Sequence, residues 1–204
     1  MAPRAYRSTK RAEAVEETRR RITEAVVQLH GEKGVVATTY EDIARRADVA
    51  PATVYRHFPT VADLIPACGV RIMEVTSPPG PGILHEKRTP AERLQAVVEE
   101  LFAFWRRAEP WLSVGRREAG KVPALEANLS VQDEAMRTLV VIALGEGSGE
   151  GAVRLVKAMT DFYTWKALEA EGLADDAAAI VTEMLANHLG IKDQPGNQKE
   201  EGNV

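Results

Sequence analysis

Between residues 39 and 64 the chain reads TYEDIARRADVAPATVYRHFPTVADL, and within it Thr39, Tyr40, Pro51, Ala52, Thr53, Tyr55, Arg56 and His57 mix hydroxyl, aromatic, cationic and small side chains. That mixture suits a groove lined by phosphates and base edges. An arginine there can address guanine O6 and N7 with two parallel hydrogen bonds, worth about 1–3 kcal/mol of discrimination. The residue types of an enzyme are not gathered in this way. His30, His57, His85 and His188 are dispersed, with no HExxH, no glycine-rich phosphate loop and no nucleophile elbow. GEGSGEG at 145–151 follows no strand and so does not read as a dinucleotide loop. The sequence therefore points away from an enzyme, and no cofactor or metal is expected.

Two short helices joined by a tight turn would present such a face. The first starts at a Thr-Thr pair, where Thr38 and Glu41 have the better capping-box spacing and Thr39 and Asp42 a weaker form of it. Ile43, Ala44 and Ala47 give it a small apolar face that admits a close neighbour. Asp48, Val49 and Ala50 make the break, and Pro51 takes the first position of the second helix, where its missing N–H costs nothing. Val49, Val54 and Phe58 point inward. A preceding helix over 18–34, with Ile22, Ala25, Val26 and Leu29 on one stripe, would pack across the pair.

Charge is distributed in the same sense. Through Ile65 there are 11 Lys and Arg against 9 Asp and Glu, and beyond it 15 against 21, so a net −4 chain has a mildly basic beginning. Arg4, Arg7, Lys10 and Arg11 make residues 1–17 the most basic segment, read as a flexible arm that either reaches DNA or is simply solvated. No apolar run approaches the ~18 residues of a membrane span, so a cytoplasmic protein is expected. Cys68 is the only cysteine and reads as a small core residue.

Nearly every periodic segment is helical, and the expected fold is all-α: an N-terminal three-helix DNA-binding domain over 18–65, a C-terminal helical domain over 66–190, to which a family resemblance assigns ligand binding and dimerisation, and a disordered tail over 191–204. A helix over 60–76 ends at SPPGPG, residues 77–82. Thr89-Pro90-Ala91-Glu92 opens another, carrying Leu94, Val97, Val98, Leu101, Phe102 and Trp105. Residues 108–124 are less regular, with Pro110 and Pro123 as breaks. One long helix is expected over 152–171, and a last one carries Ala177, Ile180, Val181, Met184, Leu185 and His188.

Gly34, Thr39, Ile43-Ala44, Ala47, Val49, Thr53-Val54-Tyr55, His57-Phe58 and Leu64, in this order and spacing, resemble the TetR (tetracycline-repressor) family of one-component regulators. The resemblance covers roughly residues 18–66. It implies a homodimeric, ligand-responsive repressor of a palindromic operator in double-stranded DNA. By the same resemblance Tyr55 contacts phosphate, Thr53 and His57 lie near the backbone, and Tyr40, Pro51, Ala52 and Arg56 occupy the variable positions that touch bases. Three departures stand out: Asp48 replaces the turn Gly, Ala50 replaces the usual hydroxyl cap, and Val61 stands where a Lys commonly reaches the DNA backbone.

Phe102, Trp105, Trp111, Met136, Met159, Phe162 and Tyr163 read either as plain core or as the lining of an effector cavity, with an apolar or aromatic effector. Arg106, Arg116 or Arg117 could then pair an acidic group on it. In the family the helix corresponding to 60–76 transmits effector binding to the recognition helices. The last two helices carry more apolar surface than a monomer can cover, which implies a two-fold dimer built on them. The alternative reading is a helical DNA-associated or protein-interaction protein without effector control.

Overall fold

Capping residues and prolines set most helix starts, and all regular structure in the described residues is helical. The computed structural model describes residues 4–145 and 147–191. Its helices are α1 (Arg4–Lys33), α2 (Tyr40–Ala47), α3 (Pro51–His57), α4 (Val61–Thr76), α5 (Pro90–Glu118), α6 (Pro123–Leu144), α7 (Glu150–Met159), α8 (Phe162–Ala170) and α9 (Ala177–Leu189). Thr60 and Asp63 form a reciprocal capping box at α4. At α5 the Glu92 carboxylate accepts from the Arg88 and Thr89 backbone N–H groups while the Thr89 hydroxyl accepts from the Glu92 N–H.

The chain forms two compact units. One holds residues up to Ser77 together with Ala108–Val131, and the other holds Pro78–Arg107 together with the residues from Gln132 onward. This differs from a division after residue 65. Leu64 and Cys68 of α4 are buried in the same cluster as Ile22, Val26 and Leu29 of α1 and Ile43, Ala44, Val54 and Phe58 of the helix-turn-helix. Removing α4 from that unit would expose its core. The C-terminal half of α5 joins the same unit, where Trp111 packs on the cluster and its indole N–H donates to the Val27 carbonyl at 2.8 Å.

Three helix assignments change. Residues 4–17, expected as a flexible arm, continue α1 without a break. AEAVEETRRR is rich in strong helix formers, and Glu17 pairs with Arg20 one turn on at 2.7 Å. Residues 1–3 of that arm, and the expected disordered tail from residue 192, lie outside the described residues. Pro110 does not end α5, which runs on to Glu118. The expected helix over 152–171 is two: α7 stops at Met159, and Asp161 starts α8 by accepting from the Tyr163 N–H at 2.9 Å. The Thr160 carbonyl freed by this break accepts from the Trp105 indole at 2.8 Å.

In the first unit α1 carries a buried histidine, His30, whose Nδ1 lies 3.5 Å from the Cys68 sulfur. Burial holds its imidazole down at about 4, below the ordinary 6.5. As pH falls the unfolded chain takes up this proton first, so stability is lost between those two values. Going from pH 7 to pH 5 should cost about 2 kcal/mol through this group alone. Urea unfolding is expected to show that loss in the wild type and a flatter pH dependence in His30→Gln; equal slopes would reject the assignment.

Candidate nucleic-acid interface

Helix α2 is built from the weaker of the two possible capping boxes. The Thr39 hydroxyl accepts from the Asp42 N–H and the Asp42 carboxylate accepts from the Thr39 backbone, so Thr39 is the cap. Thr38 turns the other way and donates its hydroxyl to the Gly34 carbonyl at 2.6 Å. The Thr39 hydroxyl also donates to Asp42, which leaves it engaged with its own helix although the residue is exposed. Lys33 donates to the same Asp42 carboxylate and, with Thr39, holds it well below the usual carboxylate range.

Tyr40 is not available to bases. It is buried, its hydroxyl donates to the Phe58 carbonyl at 2.9 Å, and its ring stacks on Tyr55 with centroids 4.2 Å apart and planes 9° from parallel. The expected base contact at this position is therefore a positioning group: it holds Tyr55 from beneath. The base contact was what the family resemblance implied for position 40, whereas the hydroxyl's partner here lies 18 residues on.

The turn is as anticipated. Asp48 adopts the left-handed conformation, φ 52°, and the Val49 N–H donates to the Ala44 carbonyl at 3.0 Å. Ala50 caps α3 without a side-chain hydrogen bond, which forgoes about 1 kcal/mol, and Pro51 follows at the first helical position. The opposite end of α3 is held more firmly. The Arg19 guanidinium donates to the His57 carbonyl at 3.1 Å and lies 4.1 Å from the Phe58 ring centroid, beside the Tyr40 bond to Phe58. Arg19 and Tyr40, from α1 and α2, thus fix the C-terminal end of a helix only 7 residues long.

Val54 and Phe58 are fully buried, which turns the rest of α3 outward. Pro51, Ala52, Tyr55 and Arg56 are exposed, and Thr53 and His57 are half-buried at the edges of that face. Among the described residues Arg56 makes no hydrogen bond or ion pair, so its guanidinium is free for an external acceptor. The other basic residues are partly committed: Arg46 grips Glu32 through two bonds of 2.8 Å, and Arg45 lies 3.5 Å from Asp42. Desolvation, then the neighbouring Arg56 and Arg19, push the His57 imidazole below its ordinary value. At neutral pH its imidazole is then a neutral hydrogen-bonding group. Val61 is exposed at the start of α4 and offers no charge there.

Among the described residues, the seven anticipated as an effector lining fall at different places. Phe102, Trp105 and Phe162 are packed in the second unit, with Trp105 edge-on to Phe162 at 6.1 Å. Trp105 and Met136 border a void of only about 10 Å³, room for one water. Met159 borders an open groove with Leu155, Met184, Leu185, Asn187 and His188. Tyr163 is exposed. Trp111 belongs to the first unit, where it lines a separate cavity. Broad apolar coverage of α7 and α8 was read as one continuous helix, and the break at Thr160-Asp161 sends those side chains in different directions.

Residues 22–68 match the family model of bacterial regulatory proteins, tetR family. The HTH-type transcriptional repressor KstR of Rhodococcus jostii is 33% identical over 93 residues, which is 43% of this chain and 41% of KstR. The HTH-type transcriptional regulator BetI of Rhizobium meliloti is 24% identical over 186 residues, 84% of this chain and 89% of BetI. The structure is similar to Salmonella enterica GusR, with a TM-score of 0.59 and 23% identity over 85% of this chain and 95% of that one. The match to KstR spans less than half of that protein, whereas BetI and GusR are matched along most of their length. Among the described residues no helix is long and apolar enough to cross a membrane.

Proposed function

We propose that this chain, whose residues 22–68 match the family model of bacterial regulatory proteins, tetR family, represses transcription from the cytoplasm as an effector-responsive homodimer on a two-fold-symmetric operator. One observation carries the reading: α3 is pinned at its C-terminal end by Arg19 and Tyr40 while Tyr55 and the unpaired Arg56 face outward. A short helix held in this way presents its side chains to a major groove in one fixed orientation. Tyr55, stacked on Tyr40, is the proposed phosphate contact, with Thr53 and His57 beside it. Arg56 is the proposed base contact, next to the small exposed Pro51 and Ala52, which would let the backbone come close. KstR carries the description of a repressor, and the same direction of control is proposed for this chain.

Tyr55→Phe should lower affinity for all duplexes alike, because a phosphate contact carries no sequence information. Arg56→Ala should cost about 1–3 kcal/mol and relax preference at one base pair in each half-site. Gel-shift titration against the operator and single-base variants separates the two effects. Both variants binding as tightly as the wild type would reject the assignment.

The dimer is proposed on α8 and α9. The expected single stripe of α9 divides into two faces. Ala177, Val181 and Leu185 are buried within the second unit, while Met184 is 55% exposed and Ile180 half-buried beside it. Tyr163 of α8 is also outward, at 57%. Covering these faces with a second copy buries apolar area that a lone subunit leaves in water.

A further inference from the structure

Resting on the reading of α3 as the recognition helix, we propose that residues 4–15 form a rigid helical overhang whose basic face lies along the phosphate backbone of DNA beyond the base pairs that α3 reads. Helix α1 is 30 residues long, yet only its part from Ile22 onward enters the core of the first unit. Residues 9–17 are all exposed. At 1.5 Å per residue the overhang reaches about 20 Å past the packed domain. It leaves from the end of the domain that carries the recognition helix. Arg19, just before Ile22, donates to the His57 carbonyl, and the Glu16 carboxylate lies close enough to act on the His57 imidazole.

One stripe runs the length of α1. Ile22, Ala25, Val26 and Leu29 are buried on it, where the helix packs against α2 and α4. Followed backward in steps of three and four, the same stripe passes through Thr18 and Val15 to positions 11, 7 and 4, all of them arginine. The face of α1 that covers protein therefore turns cationic where the protein beneath it ends, and Val15, already half exposed, marks the change. No acid interrupts the stripe: Glu13, Glu16 and Glu17 lie on other sides of the helix, and Glu17 is paired with Arg20. Arg11 is exposed and makes no hydrogen bond or ion pair among the described residues. These charges do not stabilise the helix that bears them. The first turn of α1 holds no acidic residue, so the arginines repel one another at the positive end of the helix dipole. A polyanion along this face offsets both effects. Cations repeated every ~5 Å along a helix suit the dense, regular charge of a duplex, about one per 1.7 Å of its axis.

Salt dependence of binding by the full chain, to its operator and to a random duplex of equal length, is the measurement. Each phosphate contact adds about 0.9 to the slope of log affinity against log salt. Replacing Arg4, Arg7 and Arg11 together by Gln in both subunits should therefore make the slope shallower by roughly 5 on either duplex, with the preferred sequence unchanged. Arg20→Gln removes a cation from the opposite face and should leave the slope within about 1 of the wild type. Ala12→Pro, at an exposed position off the stripe, keeps every charge but breaks the helix that aims them, and should lose at least half of the same slope. An unchanged slope in the triple variant overturns the contact, and a change in its light scattering alone would assign the stripe to a protein partner instead. Wild-type behaviour of Ala12→Pro overturns the rigid overhang, and a loss per charge in Arg20→Gln equal to that in the triple variant reduces the stripe to net charge. If the wild type prefers no sequence over the random duplex, the regulator reading fails instead, and the slopes on that duplex still decide whether the overhang binds phosphates.

Discussion

Met184→Glu is expected to convert the protein to a folded monomer and to abolish high-affinity operator binding. Met184 lies on the outer face of α9 beside an open groove of about 560 Å³ shared with Leu155, Met159, Leu185, Asn187 and His188. In a lone subunit a carboxylate at this exposed position costs little, within about 0.5 kcal/mol. In a two-fold interface each copy meets its symmetry mate or its neighbours, so two carboxylates are desolvated at once at several kcal/mol each. The operator loss follows because a monomer reads one half-site, and specific affinity depends on reading both. Light scattering at about 10 µM, with Met184→Leu as the conservative control, checks the first step. Monomeric wild-type protein, or a dimeric Met184→Glu, would contradict the interface.

Gly34→Ala is expected to be the most destabilising small substitution in the DNA-binding unit, at about 3 kcal/mol by the sum of two causes. Gly34 has φ +90°, a conformation that costs an L side chain about 1–2 kcal/mol. A Cβ there would also fall 2.6 Å from Glu118 Oε1 and from Val114 Cγ1. Glu118 must then withdraw from the Val35 and Val36 N–H groups that lead into α2, two part-buried hydrogen bonds to a carboxylate whose loss costs about 1–3 kcal/mol. In a Glu118→Ala background the same substitution should cost less, since the clash partner and the bonds it breaks are already gone. Gly120→Ala, where a Cβ would meet nothing within 4 Å, should be close to neutral. Denaturant midpoints for the wild type and these variants test this; additive effects of Gly34→Ala and Glu118→Ala would refute the coupling.

The helix-turn-helix was legible because its determinants are local. Asp48 in the left-handed region, Pro51 at the start of α3, and the inward Val54 and Phe58 all follow from neighbours a few residues away. Choosing between Thr38 and Thr39 as cap was not local: Lys33 joins Asp42 from α1 and favours the second box. Tyr40 was misplaced for a similar reason, since its acceptor at Phe58 lies across the helix pair. Arg19 and Glu118 went unnoticed altogether. One is an arginine within a basic run, and the other reaches a loop more than eighty residues earlier. The effector lining was not legible in the same way, because aromatic content shows which helices are buried, not whether space remains between them. Trp105 fills its surroundings, whereas His30, Cys68 and Asn128, which line the larger cavity of the first unit, sit on three separate helices with no shared periodicity.

Selection of bound duplexes from a random DNA pool by wild-type protein and by Arg56→Ala tests the central claim most directly. The account predicts that the wild type enriches one two-fold-symmetric sequence whose half-sites lie about one helical turn, or a multiple of it, apart, and that Arg56→Ala enriches the same symmetry with one base pair per half-site no longer specified. Enrichment of no discrete sequence by the wild type, or of an identical consensus by both proteins, would contradict it.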